Sequence, residues 1–156
     1  YGGLRRKPGP YPLRFSLVDP AAPSLECDTF NGNFVLVPAS IAKDVGLLDE
    51  RLRHRMADID YGLRISGQGY SIRALQRSVG VCEKDHSSRP WLLRDVKGFR
   101  ARLDLLFSVK GLPLRSRWIY SWRHAGAWAL IVFAFPYIRE IVSILMLHVT
   151  SMLTRD

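Results

Sequence analysis

Cysteine is almost missing from this sequence: Cys27 and Cys82 stand 55 residues apart, outside any Cys-x-x-Cys spacing. That scarcity argues against a disulfide framework or a zinc ribbon and fits reduced thiols in a cytosol. Acidic residues are the minority charge, 14 against 23 lysines and arginines, for a net +9. Such an excess favours anionic partners (nucleic acid, phosphorylated sugars or an anionic membrane surface) without choosing among them. No internal repeat is visible, and no RNP-like, zinc-finger or helix-turn-helix pattern appears. The first residue is Tyr1, and YGGLRRKPGPYP has no charged-then-apolar signal layout, so a fragment lacking its N-terminal portion is expected. What the 156 residues do have is 47% hydrophobic content, enough for a core.

Along the chain, the segment from Tyr1 to Pro23 holds five of the nine prolines and the basic cluster Arg5, Arg6, Lys7, and reads as an extended loop. Asn33 to Val37, NFVLV, is short, apolar and closed by Pro38, which predicts a buried strand. Ser40 is an expected N-cap for a helix over Ile41 to Val45 that Gly46 ends. A second helix is expected from Asp58 through IDYGLRIS, with Ile59 and Leu63 on one face and Gly67 and Gly69 at its end. Strands are expected over Tyr70 to Leu75 and Ser78 to Cys82. This order predicts a mixed α/β layer.

Beyond Pro90 the character changes. Trp91 to Val109 carries Leu92, Val96, Phe99, Leu103 and Leu106 at helical spacing with Arg94, Lys97, Arg100 and Arg102 between them, a basic amphipathic helix. Then come Trp118, Tyr120 and Trp122 among Arg115, Arg117, Arg123 and His124, and an apolar stretch from Ala125 to Leu153 broken at Pro136, Arg139 and Glu140. A spanning helix wants about 20 apolar residues, whereas the longest clean run, Ala125 to Ile138, has 14. The expectation is therefore helices lying in the membrane interface, with Trp118, Trp122 and Trp128 near the headgroups and the arginines toward anionic lipid. Helices packed on the protein's own core are the alternative.

Six elements in order, Asn31-Gly32-Asn33, Val45-Gly46-Leu47-Leu48-Asp49-Glu50, Asp58-Ile59-Asp60, Leu63-Arg64 and Gly69-Tyr70 with the strand after it, resemble the second half of the catalytic domain of family 2 glycosyltransferases. The likeness covers about Cys27 to Val81 and points to bacterial rhamnosyltransferase-like members. It implies a GT-A fold: residues 1–90 as the C-terminal, acceptor-side part of a Rossmann-like mixed sheet, and residues 91–156 as a membrane-proximal extension of amphipathic and apolar helices. It also implies transfer of a sugar, with inversion, from a nucleotide-sugar donor to a saccharide or lipid-linked acceptor at the cytoplasmic face of the cell membrane, for cell-envelope polysaccharide.

Such a transfer needs a carboxylate to take the proton of the acceptor hydroxyl. Asp58 matches the family's base, in the first turn of a helix where the positive dipole end lies. Asp60 is expected to bind acceptor hydroxyls or cap the helix, and Asn31, Gly32 and Asn33 to form a turn facing the sugar cleft, or else an ordinary Asx turn. Ala57 stands where the family commonly has glutamate, so no role passes from that glutamate. His54 and Arg55 are expected near the donor phosphates, and His86 is the one candidate for a late metal ligand, a loop histidine being the plainer expectation. The family's divalent cation, Mn or Mg, is held mainly by a DxD motif that precedes this region; Asp58-Ile59-Asp60 has the same spacing but its place after Val45–Glu50 matches the acceptor-side motif instead, so the isolated chain is expected to be inactive. Two other functions stay open: a non-catalytic peripheral membrane-binding module, and a nucleic-acid-binding domain suggested by the Trp118–Arg123 aromatics and arginines. No nucleic-acid partner is expected.

Overall fold

The computed structural model describes residues 2–52, 56–81, 96, 98–108 and 111–153, with side chains through Thr150. The fold is mixed α/β, about half of the described residues being helical and the strands forming two small antiparallel sheets. No parallel strand pair occurs among the described residues.

The proline-rich N-terminus, expected as a loop, builds the larger sheet. Strand β1 (Gly3–Arg6) lies between β2 (Phe15–Leu17) and β4 (Thr29–Phe30), with Leu4 opposite both Leu17 and Thr29. Strand β3 (Glu26–Cys27) pairs instead with β5 (Ile72–Arg73). The two sheets are tied by Arg5, whose guanidinium donates to the carbonyls of Ser24 and Glu26 at 3.0 and 2.8 Å, and by the Arg6 amide, which donates to Asp28 at 2.6 Å. The prolines do not prevent this, because Pro8, Pro10, Pro12, Pro20 and Pro23 all fall between strands, where a missing N–H costs no ladder bond.

The strand predicted for Asn33 to Val37 does not form. Residues 32–34 turn, residues 35–38 are irregular, and Leu36 is 85% exposed. A strand requires a neighbour to pair with, and no described segment offers these residues one; only Val37 packs inward, beside Phe30 and Val45. Nor are residues 78–81 paired. Helix α1 (Ala39–Val45) begins before Ser40, with Pro38 rather than Ser40 at its N-cap, and ends at Gly46, whose φ of +81° suits a residue without Cβ.

Helix α2 (Met56–Gly67) is the centre of the molecule. Tyr61 and Ile65 pack against Phe30 and Val45, whereas Leu63 and Ile59 turn toward Leu52 and Tyr120. Gly62 lets the helix approach β4: a Cβ there would lie 2.3 Å from the Thr29 hydroxyl and 2.8 Å from its Cα. The Thr29 hydroxyl, fully buried, donates to the Ile59 carbonyl at 2.8 Å. Alanine for glycine inside a helix ordinarily stabilises by up to ~1 kcal/mol. Here backbone must move, so Gly62→Ala is expected to destabilise by ~1–3 kcal/mol in urea unfolding.

Helix α3 (Phe99–Phe107) occupies part of the amphipathic segment, followed by α4 (Leu114–His124), a short 3₁₀ turn (Gly126–Trp128) and α5 (Ala129–Leu153). The residues that interrupt the apolar stretch do not interrupt the helix, since α5 runs through Pro136, Arg139 and Glu140. Proline removes the N–H that would serve the Val132 carbonyl, and the Arg117 guanidinium donates to that carbonyl instead, at 2.8 Å. Arg139 and Glu140 pair at 2.6 Å. The 25 residues Gly126–Thr150 are long and apolar enough to cross a membrane, a length and composition that also suit the core helix of a soluble protein. The helices join the N-terminal part through shared cores: Leu13 and Phe15 pack beside Tyr120, and Tyr11 and Leu13 beside Ala125, Ala129 and Val132.

Candidate functional site

The site gathers around the two aspartates of α2, which the helix sends in different directions. Asp58, in the first turn and half-buried, accepts a hydrogen bond from the Gly32 amide at 2.9 Å. A Cβ on Gly32 would sit 3.1 Å from the Cβ of Asp58, so a glycine is what lets the turn come this close. The Asn31–Asn33 turn and the acidic motif, 26 residues apart in sequence, thus meet face to face. Among the described residues only Gly32 donates to Asp58.

Asp60 is turned inward and has no exposed surface. One of its oxygens accepts from Arg64 Nε at 2.9 Å, and the other accepts from Arg123 Nη1 at 2.6 Å and meets His124 Nε2 at 2.8 Å. Arg123 also donates to Asp49 at 2.7 Å, where Arg51 makes a two-pronged contact at 2.9 and 2.8 Å. Arg64 continues past Asp60 to donate to the carbonyls of Val45 and Leu47, both at 2.7 Å. The segments Val45–Glu50, Asp58–Asp60 and Leu63–Arg64 are therefore joined by one ion network, and α4 closes it.

This arrangement changes the part assigned to several residues. Asp60, expected on acceptor hydroxyls, has its oxygens committed to protein cations. Arg123, expected to face lipid, is turned onto Asp60 together with His124. Arg51 gave no signal at all in the sequence. The Asp60–Arg64 pair had the i,i+4 spacing of a helical ion pair, but nothing in the sequence pairs residue 60 with residue 123. His54, Arg55 and His86 lie outside the described residues.

Burial by itself pushes the Asp60 carboxyl up, but the hydrogen bonds from His124, Arg123 and Arg64 outweigh it and hold the carboxyl below its usual value. Hydrogen bonds from Arg51 and Arg123 hold Asp49 well below the carboxylate range. With folded values lower than unfolded ones, the unfolded chain takes up protons first on acidification. The network's contribution is thus full above about pH 4, the ordinary aspartate range, and is lost as pH falls through the folded values. Urea unfolding at a series of pH values is expected to show stability falling below about pH 4, with a shallower fall in Asp60→Asn.

Among the described residues no group of three His, Cys, Asp or Glu side chains is placed to hold a metal. The Asp58-Ile59-Asp60 spacing does not make a chelating pair either, because Asp60 is occupied by Arg64, Arg123 and His124. Set against protein-family models, curated proteins and solved structures, the chain matches none of them.

Proposed function

We propose that the chain is the acceptor side of an inverting family 2 glycosyltransferase of GT-A type, working at the cytoplasmic face of the cell membrane, with Asp58 as general base. The contact of Asp58 with the Gly32 amide carries this reading. It joins the turn and the acidic motif of the resemblance into one half-exposed site, in which the Gly32 N–H orients the Asp58 carboxylate.

In the transfer, Asp58 accepts the proton of the acceptor hydroxyl while that oxygen bonds to the anomeric carbon of the donor and the nucleoside diphosphate leaves from the opposite face. Fixing one carboxylate oxygen through Gly32 aims the other at the incoming hydroxyl, which removes part of the orientational cost of the step. Asn31 and Asn33 flank Gly32 in the turn, and in this reading their amides bind sugar hydroxyls. The divalent cation, Mn or Mg, belongs to this reading only as the resemblance implies it, and no residue of the site described above is assigned to hold it. Asp60 takes no part in it.

The test is the Asp58→Asn variant of the enzyme that carries this segment. Loss of transfer with the fold kept supports the base, and turnover at the wild-type rate removes Asp58 from that role. A second reading, a membrane-binding module without catalysis, is favoured by the exposed apolar side of α5 and predicts vesicle binding without any binding of nucleotide-sugar.

A further inference from the structure

Helix α5 has two sides of different character. Its covered side holds Ala129, Val132, Tyr137 and Ile144, buried under α3, α4 and the N-terminal residues Tyr11 and Leu13. The opposite side presents Ile131, Phe135, Ile138, Val142, Leu145 and Val149, all at three- or four-residue spacing and all exposed. Trp128, three residues before Ile131 and 45% exposed, continues the stripe at its N-terminal end. Arg139 flanks it with 60% of its side chain in solvent.

We propose that this stripe docks α5 in the plane of an anionic lipid bilayer, without crossing it. At 1.5 Å per residue the stripe is roughly 27 Å long and, at a helix width of about 10 Å, offers on the order of 270 Å². A stable dimer needs about 800 Å² from each partner, so a second copy covers this face poorly, and two chains of +9 repel each other. A bilayer sets no such area requirement, and its anionic headgroups attract the same charge.

Crossing is disfavoured by what lies on the other side of the helix. Leu106 of α3 packs with Tyr137 and Ile144, and Phe99 rests against His148 at 5.6 Å, so α3 accompanies the C-terminal half of α5. A transmembrane α5 would drag the exposed Arg100 and Asp104 of α3 into hydrocarbon along with Arg139. Lying in plane leaves them on the water side.

The structure also separates the tryptophans that the sequence grouped together. Trp118 stacks on Trp122 at 5.5 Å and meets Phe133 edge-on at 5.2 Å, and Phe133 belongs to the covered side. Of the three, Trp128 alone extends the stripe.

The proposal rests on the membrane-face part of the function proposed above, not on Asp58. Vesicle binding through the stripe alongside normal transfer by Asp58→Asn would keep this proposal and remove that base. The experiment is co-sedimentation of the chain with phosphatidylcholine vesicles, with and without phosphatidylglycerol. Wild type and Trp122→Ala are expected to bind the anionic vesicles alike, and the double variant Ile138→Glu, Leu145→Glu at least about tenfold more weakly. Leu145→Glu alone serves if the double variant loses its helical circular dichroism. In a cysteine-free background, a Thr150→Cys variant bound to vesicles is expected to react with an impermeant maleimide added outside. Three results would overturn the proposal: equal binding by the stripe variants, a lipid-free dimer that the same variants dissociate, or a Thr150→Cys thiol that reacts only after detergent, as a crossing helix would give.

Discussion

In the enzyme proposed to carry this segment, Asp58→Asn is expected to slow sugar transfer by about 100- to 10,000-fold, the usual worth of a positioned general base, while the protein keeps its fold. Asparagine has nearly the same shape, and its side-chain oxygen still accepts the Gly32 amide that Asp58 accepts at 2.9 Å. It cannot take a proton near neutral pH. A capping or turn-holding role would survive this change, because the amide oxygen performs both tasks. Steady-state rates with saturating donor and acceptor separate the two, for a base mutation lowers kcat and kcat/KM together. Melting of the variant within a few degrees of wild type shows that the lost rate is chemical.

Asp60→Asn is expected to do the reverse, costing about 3 kcal/mol of stability whatever it does to transfer. A carboxylate with no exposed surface holds Arg64, Arg123 and His124 at 2.6–2.9 Å, and removing its charge leaves the two guanidiniums and the imidazole facing a neutral amide that also brings an N–H of its own. Breaking a buried ion pair from one side commonly costs ~3–5 kcal/mol. The lower end applies here because Arg64 and Arg123 keep 20% and 28% of their side chains exposed and recover some hydration. For a chain of this size the change corresponds to roughly 6–12 °C in Tm. The loss extends beyond α2, since Arg123 also anchors Asp49 and Arg64 also holds the Val45 and Leu47 carbonyls.

How much of this was legible in the sequence depends on the range of each interaction. Helix α2 is readable because its signals are local: an acidic first turn, apolar residues at 59 and 63, and Gly67 and Gly69 at and just past its end. Gly46 and Gly69, with φ of +81° and +88°, punctuate the chain where glycine should. The N-terminal strands were not readable, because runs of two to four residues are too short for a period-two pattern and the prolines between them spoke louder. Asn33 to Val37 failed for the opposite reason: its composition is that of a strand, but strand formation depends on a partner that composition does not reveal. In the site, the contact of Asp58 with the Asn31–Asn33 turn was foreshadowed by the order of the motifs. Neighbouring tryptophans suggest lipid for Arg123, and only the fold shows it and His124 turned 63 and 64 residues back onto Asp60.

The two aspartates of α2, two residues apart, divide the labour: Asp58 is half-buried against Gly32 and Asp60 is locked into the framework. Thermal melting of Asp58→Asn and Asp60→Asn side by side, at neutral pH, tests it most directly. A Tm near wild type is expected for the first and one lower by roughly 6–12 °C for the second. Equal melting of the two variants, or the greater loss in Asp58→Asn, would contradict it.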